Sequence, residues 1–407
     1  MIVRVAAKNL KSAVEFVQAG MGVDMQSQWL RLMGNKETGS LYLSVIGLTE
    51  YQAVIKATVI REGVVWVGGK VLAELVGKLK NDFLKGNCNL MIQDSKFLVM
   101  TNGEESGYKY NLPLNLLEMP NSFTGPELAI IDMNSSQLLD VIAGMKAIRE
   151  AESDHDVPAC EVIQTGRERL QFVAVTRLRS VSCWLDTECR VMYPNGIMQI
   201  YLAIEHLQKM EKAMKVAGKE LKKGEEPIPV EFRVWSNVVE FRFSGGGMES
   251  CVIRLRRLEK EPSKINHLIS VIMRPEMIRA TLLMDGDKLK QAYDRLDAFG
   301  KRNETAQHRI EFELVGNELK MQAGGVGVGY GRESILVEGV AKNTGDPILF
   351  AAAGNKLADL LRISKFGKVK LIIGRRNIML SWLNSELRVE NLAILAGMQV
   401  ASAGGEA

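Results

Sequence analysis

The chain is 407 residues long, 46% hydrophobic and 25% charged, with 52 Lys and Arg against 48 Asp and Glu. That apolar share excludes a disordered chain, and no apolar run reaches the roughly 18 residues that a membrane-spanning helix needs. A net charge of +4 is too small to announce a nucleic-acid binder by itself, and five cysteines without a CxxC pair read as reduced, buried residues rather than a zinc or disulfide framework.

In chain order, MIVRVAAKNLKSAVEFVQAG predicts a short strand followed by an amphipathic helix whose first apolar anchor is Leu10. GSLYLSV, around Leu41, alternates as a half-buried strand does, and GKVLAELVGKL predicts a second helix anchored by Leu72. NLMIQDSKFLVMT alternates on both sides of a polar turn, the pattern of an antiparallel hairpin. The same order then returns. LAIIDMNSSQLLDVIAGMKA (Leu138), RLQFVAV (Leu170), IEHLQKMEKAM (Leu207) and VEFRVWSNVVEFRF form a second copy. Its added length lies in the charged segment 215–229, read as a solvated loop. ATLLMDGDKLKQAYDRLDAF (Leu289), ELKMQAG (Leu319), GNKLADLLRIS (Leu357) and VKLIIGRRNIMLSW form a third. The first-helix anchors at 10, 138 and 289 lie a whole domain apart, far beyond the roughly 20 to 50 residues of a solenoid repeat. Three tandem α+β domains are expected, over 1–125, 126–266 and 267–407.

Charge is distributed unevenly among these elements. Helix windows 8–19, 69–80, 135–149, 203–215, 286–297 and 354–365 hold 16 Lys and Arg against 9 Asp and Glu, so they carry +7 and the rest of the chain −3. Lysines such as Lys209, Lys212 and Lys215 interleave with Ile204, Leu207, Met210 and Met214, which turns them away from the apolar stripe. Lysine is also a good helix former, so the bias alone fits an ordinary solvated surface.

Signals of catalysis are absent from the sequence. His155, His206, His267 and His308 have no metal-ligand spacing, and no GxxxxGK[ST] occurs. The run GGVGVGYG at 324–331 fails the GxGxxG pattern and suggests a strand with one bare face. ESDHD at 152–156 gathers acids and a histidine, and reads better as a loop between helix and strand. No enzyme, no cofactor and no metal are expected. The start, MIVRVAAKN, lacks the apolar block of a secretion signal, so a cytoplasmic location is expected, with no membrane partner.

Three copies of strand, helix, strands, helix and hairpin, with basic helices and a chain of this length, resemble the bacterial DNA polymerase III beta subunit, the sliding clamp, as a diverged member. The resemblance implies a head-to-tail homodimer closing six domains into a ring, with helices lining a hole for duplex DNA and sequence-independent phosphate contacts. Lys11, Lys78, Lys146, Lys209, Lys212, Lys288, Arg295, Lys356 and Arg362 are the implied hole residues. The implied role is that of a processivity factor, tethering a polymerase and met by a clamp loader through short peptides. The peptide pocket maps by the same likeness onto His155, Pro158, Thr176, Leu178, Arg179, Met379 and Leu380. AVTRLRSV at 174–181 keeps only Ala174 and Arg179 of the family's ATDGHRLA, and the C-terminal LAILAGMQVASAGGEA has no proline, which departs from the family's ending. For Arg179 the plainer reading is a surface arginine at a strand end. The implied ring seam joins the first domain's edge after 65–111 to the third domain's edge near 310–340, close to Val326 and Val328. Two alternatives stand beside this one: an accessory clamp-fold paralogue that binds replication proteins without encircling DNA, and a metal-dependent nucleic-acid enzyme on a repeated α+β scaffold.

Overall fold

The computed structural model describes residues 1–22, 28–79, 81–102, 107–115, 125–148, 157–165, 167–176, 178–191, 197–218, 225–300, 309–325, 329–342, 348–361 and 367–397. His155, Arg362, Val326, Val328 and the ESDHD segment lie outside the described residues.

The first unit runs β1 (Ile2–Ala6), α1 (Ala7–Gln18), β2 (Trp29–Asn35), β3 (Ser40–Ile46), β4 (Thr49–Arg61), β5 (Gly63–Gly68), α2 (Gly69–Gly77), the short α3 (Asn81–Leu84), β6 (Asn87–Gln93), β7 (Phe97–Thr101) and β8 (Lys109–Asn115). The second runs β9 (Glu127–Asn134), α4 (Ser135–Met145), β10 (Ala159–Thr165), β11 (Arg169–Val175), β12 (Arg179–Asp186), β13 (Cys189–Val191), β14 (Ile197–Ala203), α5 (Ile204–Ala217), β15 (Pro229–Trp235), β16 (Val238–Gly245) and β17 (Met248–Arg256). A connector helix, α6 (Ile265–Ile272), follows. The third runs β18 (Ile278–Asp285), α7 (Gly286–Gly300), β19 (Arg309–Val315), β20 (Glu318–Gly325), β21 (Gly329–Leu336), β22 (Gly339–Lys342), β23 (Ile348–Ala353), α8 (Gly354–Leu361), β24 (Lys368–Gly374), β25 (Asn377–Asn384) and β26 (Val389–Ala396).

Each unit is itself a doubled module, strand, helix and three strands said twice, with a short extra strand, β13 or β22, closing the first half of the second and third units, and the two halves exchange their first strands. Thus β1, β9 and β18 pair with β6, β15 and β24, while β5, β14 and β23 pair with β2, β10 and β19. Exchange of this kind ties the halves together, since neither sheet is complete without a strand from the other. The expected boundary at 266/267 falls inside α6, and the third unit's first strand opens only at Ile278.

Helices form where the apolar spacing presents one face to these sheets. Leu10, Leu138 and Leu289 are buried in the helix-side core, as are Leu72, Leu207 and Leu357 on the second helices. The α4 start is fixed by a capping box: Asn134 Oδ1 accepts from the Gln137 backbone N–H at 2.9 Å, and Gln137 Oε1 accepts from the Asn134 N–H at 2.9 Å.

Neighbouring units join edge to edge. At the first seam β4 pairs with β17, Tyr51 facing Ile253; at the second β12 pairs with β26, Val181 facing Ala393. On the helix side of the first seam, Phe16 of α1 packs edge-on against Phe243 at 5.9 Å and tilted against Tyr51 at 6.1 Å. All three rings are buried, each contributing about 1.5–3 kcal/mol of hydrophobic stabilisation. Helices α1, α2, α4 and α5 thus lie on one side of the joined sheets, α1 touching both α2 and, across the seam, α5, which in turn touches α4.

Candidate nucleic-acid interface and partner pocket

The surface of the helix layer away from the sheets carries most of the cations singled out from sequence. On α1 the stripe Leu10, Ala13, Val14 and Val17 is buried, leaving Lys11 half-buried at the margin of the outward face and Lys8 exposed. Lys78, just past α2, is exposed, as are Lys212 on α5 and Lys288 in the first turn of α7. Lys356 of α8 is half-buried. Carboxylates hold Lys146 through Glu211 at 2.5 Å, Lys209 through Glu205 at 2.9 Å, and Arg295 through both oxygens of Glu333 at 2.8 Å. Glu211 also accepts from Lys215 at 2.6 Å, and the two lysines hold its carboxyl below the ordinary range against the opposing pull of burial. The pairs within one helix, Glu205–Lys209 and Glu211–Lys215, are worth only about 0.2–0.5 kcal/mol each, weak enough for a phosphate to take the carboxylate's place. Lys70, the second residue of α2, is exposed as well, and Lys8 stands three residues from Lys11, so both lie outside the apolar stripes of their helices.

Among the described residues assigned to a peptide pocket, Pro158 and Thr176 share one cavity, and Leu178, Arg179, Met379 and Leu380 are not part of its lining. Pro158 and Thr176 line a cavity of about 110 Å³ with Val173, Val175, Glu161, Tyr201 and Ser263. Leu178, 52% exposed, lies two residues beyond Thr176 in the chain. Glu161 is buried and accepts from Tyr201 Oη at 2.8 Å as well as from Gln199 and Ser263. Burial and the adjacent carboxylate raise the Tyr201 phenol well above its ordinary range, so it remains a donor. Met379 sits on the outer sheet face beneath α6, in a cluster with Val173, Ile265, Ile272, Ile372 and Ile394. Leu380, its neighbour on the same strand, points the opposite way into the helix-side core, because side chains alternate along a strand. Arg179 is no surface arginine: its side chain is 1% exposed and donates to Asp359 Oδ2 of α8 at 2.6 Å, on the helix side of the second seam. Of the run 324–331, residues 324–325 end β20 and 329–331 open β21, and two of its glycines have a steric reason. Gly324 has φ +122°, and a Cβ at Gly331 would come within 2.6 Å of Phe299.

Among the described residues no three His, Cys, Asp or Glu side chains gather to hold a metal ion, and no helix is long and apolar enough to cross a membrane. All five cysteines are free and buried. Burial pushes the thiols up, Cys88 and Cys189 to about 11, Cys251 to about 12, and Cys160 and Cys183 further. Since the thiolate is the nucleophile, the native protein at pH 8 should take up almost no iodoacetamide over an hour, while the denatured chain takes up five equivalents. Mass spectrometry reads the difference, and rapid native labelling would refute the burial.

No protein-family model matches the chain, and neither does any curated protein sequence. Solved structures do. The DNA polymerase sliding clamp of Bacillus subtilis superposes with a TM-score of 0.77 at 11% identity, covering 98% of this chain and 99% of that one. The DNA polymerase beta subunit of Streptococcus pyogenes gives 0.79 at 12%, covering 98% and 100%. The Pseudomonas aeruginosa sliding clamp gives 0.76 at 15%, with the same coverage as the streptococcal protein. Such low identity with near-complete coverage on both sides places the likeness in the backbone path, and the chain has, end to end, the fold of the bacterial DNA polymerase III beta subunits, the sliding clamps.

Proposed function

We propose that this chain is a sliding clamp: two copies close head to tail into a ring whose helix layer faces duplex DNA, and short peptides of a polymerase and a loader bind its outer surface. The observation that carries this reading is a seam register that occurs twice and has one vacancy. Within the units, Leu41, Leu170 and Leu319 face Ile55, Leu185 and Ile335, which makes those three positions equivalent. Likewise Leu98, Val239 and Ile378 face Leu112, Leu255 and Leu395. The first seam sets Leu255 against Thr49, six residues before Ile55; the second sets Leu395 against Arg179, six residues before Leu185. The two registers are the same.

One strand of each kind is left over. β21 is the edge of its four-stranded sheet, and β8 pairs with β7 on one side and with β5 only through Leu114 and Asn115. A third seam of the same register would set Leu112 against Gly329, Asn111 against Tyr330 and Tyr110 against Gly331. Within one chain these strands belong to the first and last units, so a second copy must supply the partner. Unpaired edges of this kind template association, and a heterologous contact that closes gives a ring. The exposed helix lysines suit a hole of that kind: they attract phosphate without reading sequence, which sliding requires.

Topology gives the test. Loaded protein should stay on nicked circular DNA through gel filtration and leave within minutes once the circle is linearised. Equal loss from both forms would remove the ring reading and leave the accessory paralogue. Nucleic-acid turnover on adding Mg²⁺ would favour the enzyme instead.

A further inference from the structure

The two seams are alike in register and unlike on their outer faces. Outside the first seam runs an ionic ladder: Arg254 bonds Glu50 at 2.9 Å and Glu240 at 2.7 Å, and Arg242 bonds Glu240 at 2.8 Å. Outside the second the face is apolar, built from Ile163 and Val173 on one unit and Ile372, Met379, Leu392 and Ile394 on the other. Helix α6 is seated on it. The connector that carries α6 spans 257–277, whereas 116–126 suffices between the first two units, so α6 is an addition to one repeat of three.

α6 is lightly held. It has eight residues and no side-chain cap, and only Ile265 and Ile272 are buried, with Ile269 half-buried between them. An isolated helix this short is not stable in water, so docking makes it. Among the described residues its polar hold on the sheet is the amide pair of Asn266 with Gln171, at 2.9 and 3.1 Å. Leu268 and Met273 face solvent at 46% and 38% exposure. The apolar floor also continues beyond the helix, for Val173 lies under α6 and lines the open cavity with Val175 and Thr176.

We infer that α6 is a tethered occupant of a groove meant for an external segment, and that it competes with that segment. The helix is a cast of the ligand: a short amphipathic helix with aliphatic side chains at positions i, i+4 and i+7, matching Ile265, Ile269 and Ile272. It enters from the cavity side, lifts α6, and lays its side chains on Val173, Met379 and Ile394. The inference rests on the outer-surface peptide site of the clamp reading, and it does not depend on ring closure.

A fluorescein-labelled peptide of residues 264–274 (KINHLISVIMR) is the probe, read by anisotropy against the full chain. Ile265→Ser with Ile272→Ser weakens the resident helix and leaves the floor intact, so the peptide should bind about tenfold or more tightly than to the unaltered chain, as expected when a blocked state is depopulated. Adding Met379→Glu should abolish that gain. Equal binding with and without the serines, or none to either, overturns the inference. On the unaltered protein, saturating peptide should raise hydrogen exchange of the α6 amides; binding with α6 protection unchanged overturns it too. Both readouts are independent of retention on circular DNA, so loss of the ring reading and loss of this one are told apart.

Discussion

Asn111→Cys combined with Tyr330→Cys should convert nearly all of the protein into covalent dimer on mild oxidation or with a short bis-maleimide. The expected species on a non-reducing gel has about twice the 45.2 kDa chain mass. The expectation follows from register alone, since carrying the two observed seams onto β8 and β21 makes residues 111 and 330 directly opposed. Opposed residues of an antiparallel pair lie about 4.5–5.5 Å apart at Cα, within the span of a disulfide. Each single variant should stay monomeric on the gel, because a head-to-tail contact never brings 111 to 111 or 330 to 330. The five native thiols are buried and protonated, so they add no background. Crosslinking by either single variant would mean a twofold-symmetric contact, and no crosslinking by the double variant would sink the seam. Neither Asn111 nor Tyr330 is buried, so the folded chain tolerates both changes.

The helix-side core and the order of elements were readable in the sequence because both follow from periodicity. The anchors Leu10, Leu41 and Leu72 recur as Leu138, Leu170 and Leu207 and again as Leu289, Leu319 and Leu357, and all nine are buried. The internal doubling of each unit escaped, since the halves are related by strand exchange, which leaves no local trace. α6 escaped for another reason: INHLISVI carries an i, i+4, i+7 pattern, yet nothing in the pattern says which sheet face receives it. Met379 and Leu380 show the limit of carrying over a pair of residues along a strand. Adjacent positions face opposite sides, so one lies under α6 and the other in the core. Arg179 was readable as a position and not as a role, because its partner stands 180 residues away on α8.

That partner makes the second large expectation. Arg179→Ala should loosen the second seam by about 3 kcal/mol, the low end of what breaking a buried ion pair costs, since Asp359 keeps a 27% exposed side chain and recovers some hydration. Asp359→Ala should cost more, because it withdraws a carboxylate from a guanidinium that is almost wholly buried. Replacing both by apolar residues of similar reach, Arg179→Met with Asp359→Leu, should restore much of the loss, because no buried charge is then left without its counter-charge. A chain of three linked units need not unfold in one step, so a single denaturant midpoint is the wrong measure. Hydrogen exchange of the β26 amides, Val389–Ala396, reports opening of this seam directly, and exchange in β17, Met248–Arg256, serves as the control at the first. Faster exchange in β26 with β17 unmoved is the expected result. Equal change in both strands would place Arg179 in general stability rather than at the junction, and a cost below about 1 kcal/mol would put the pair in the class of surface salt bridges despite its burial.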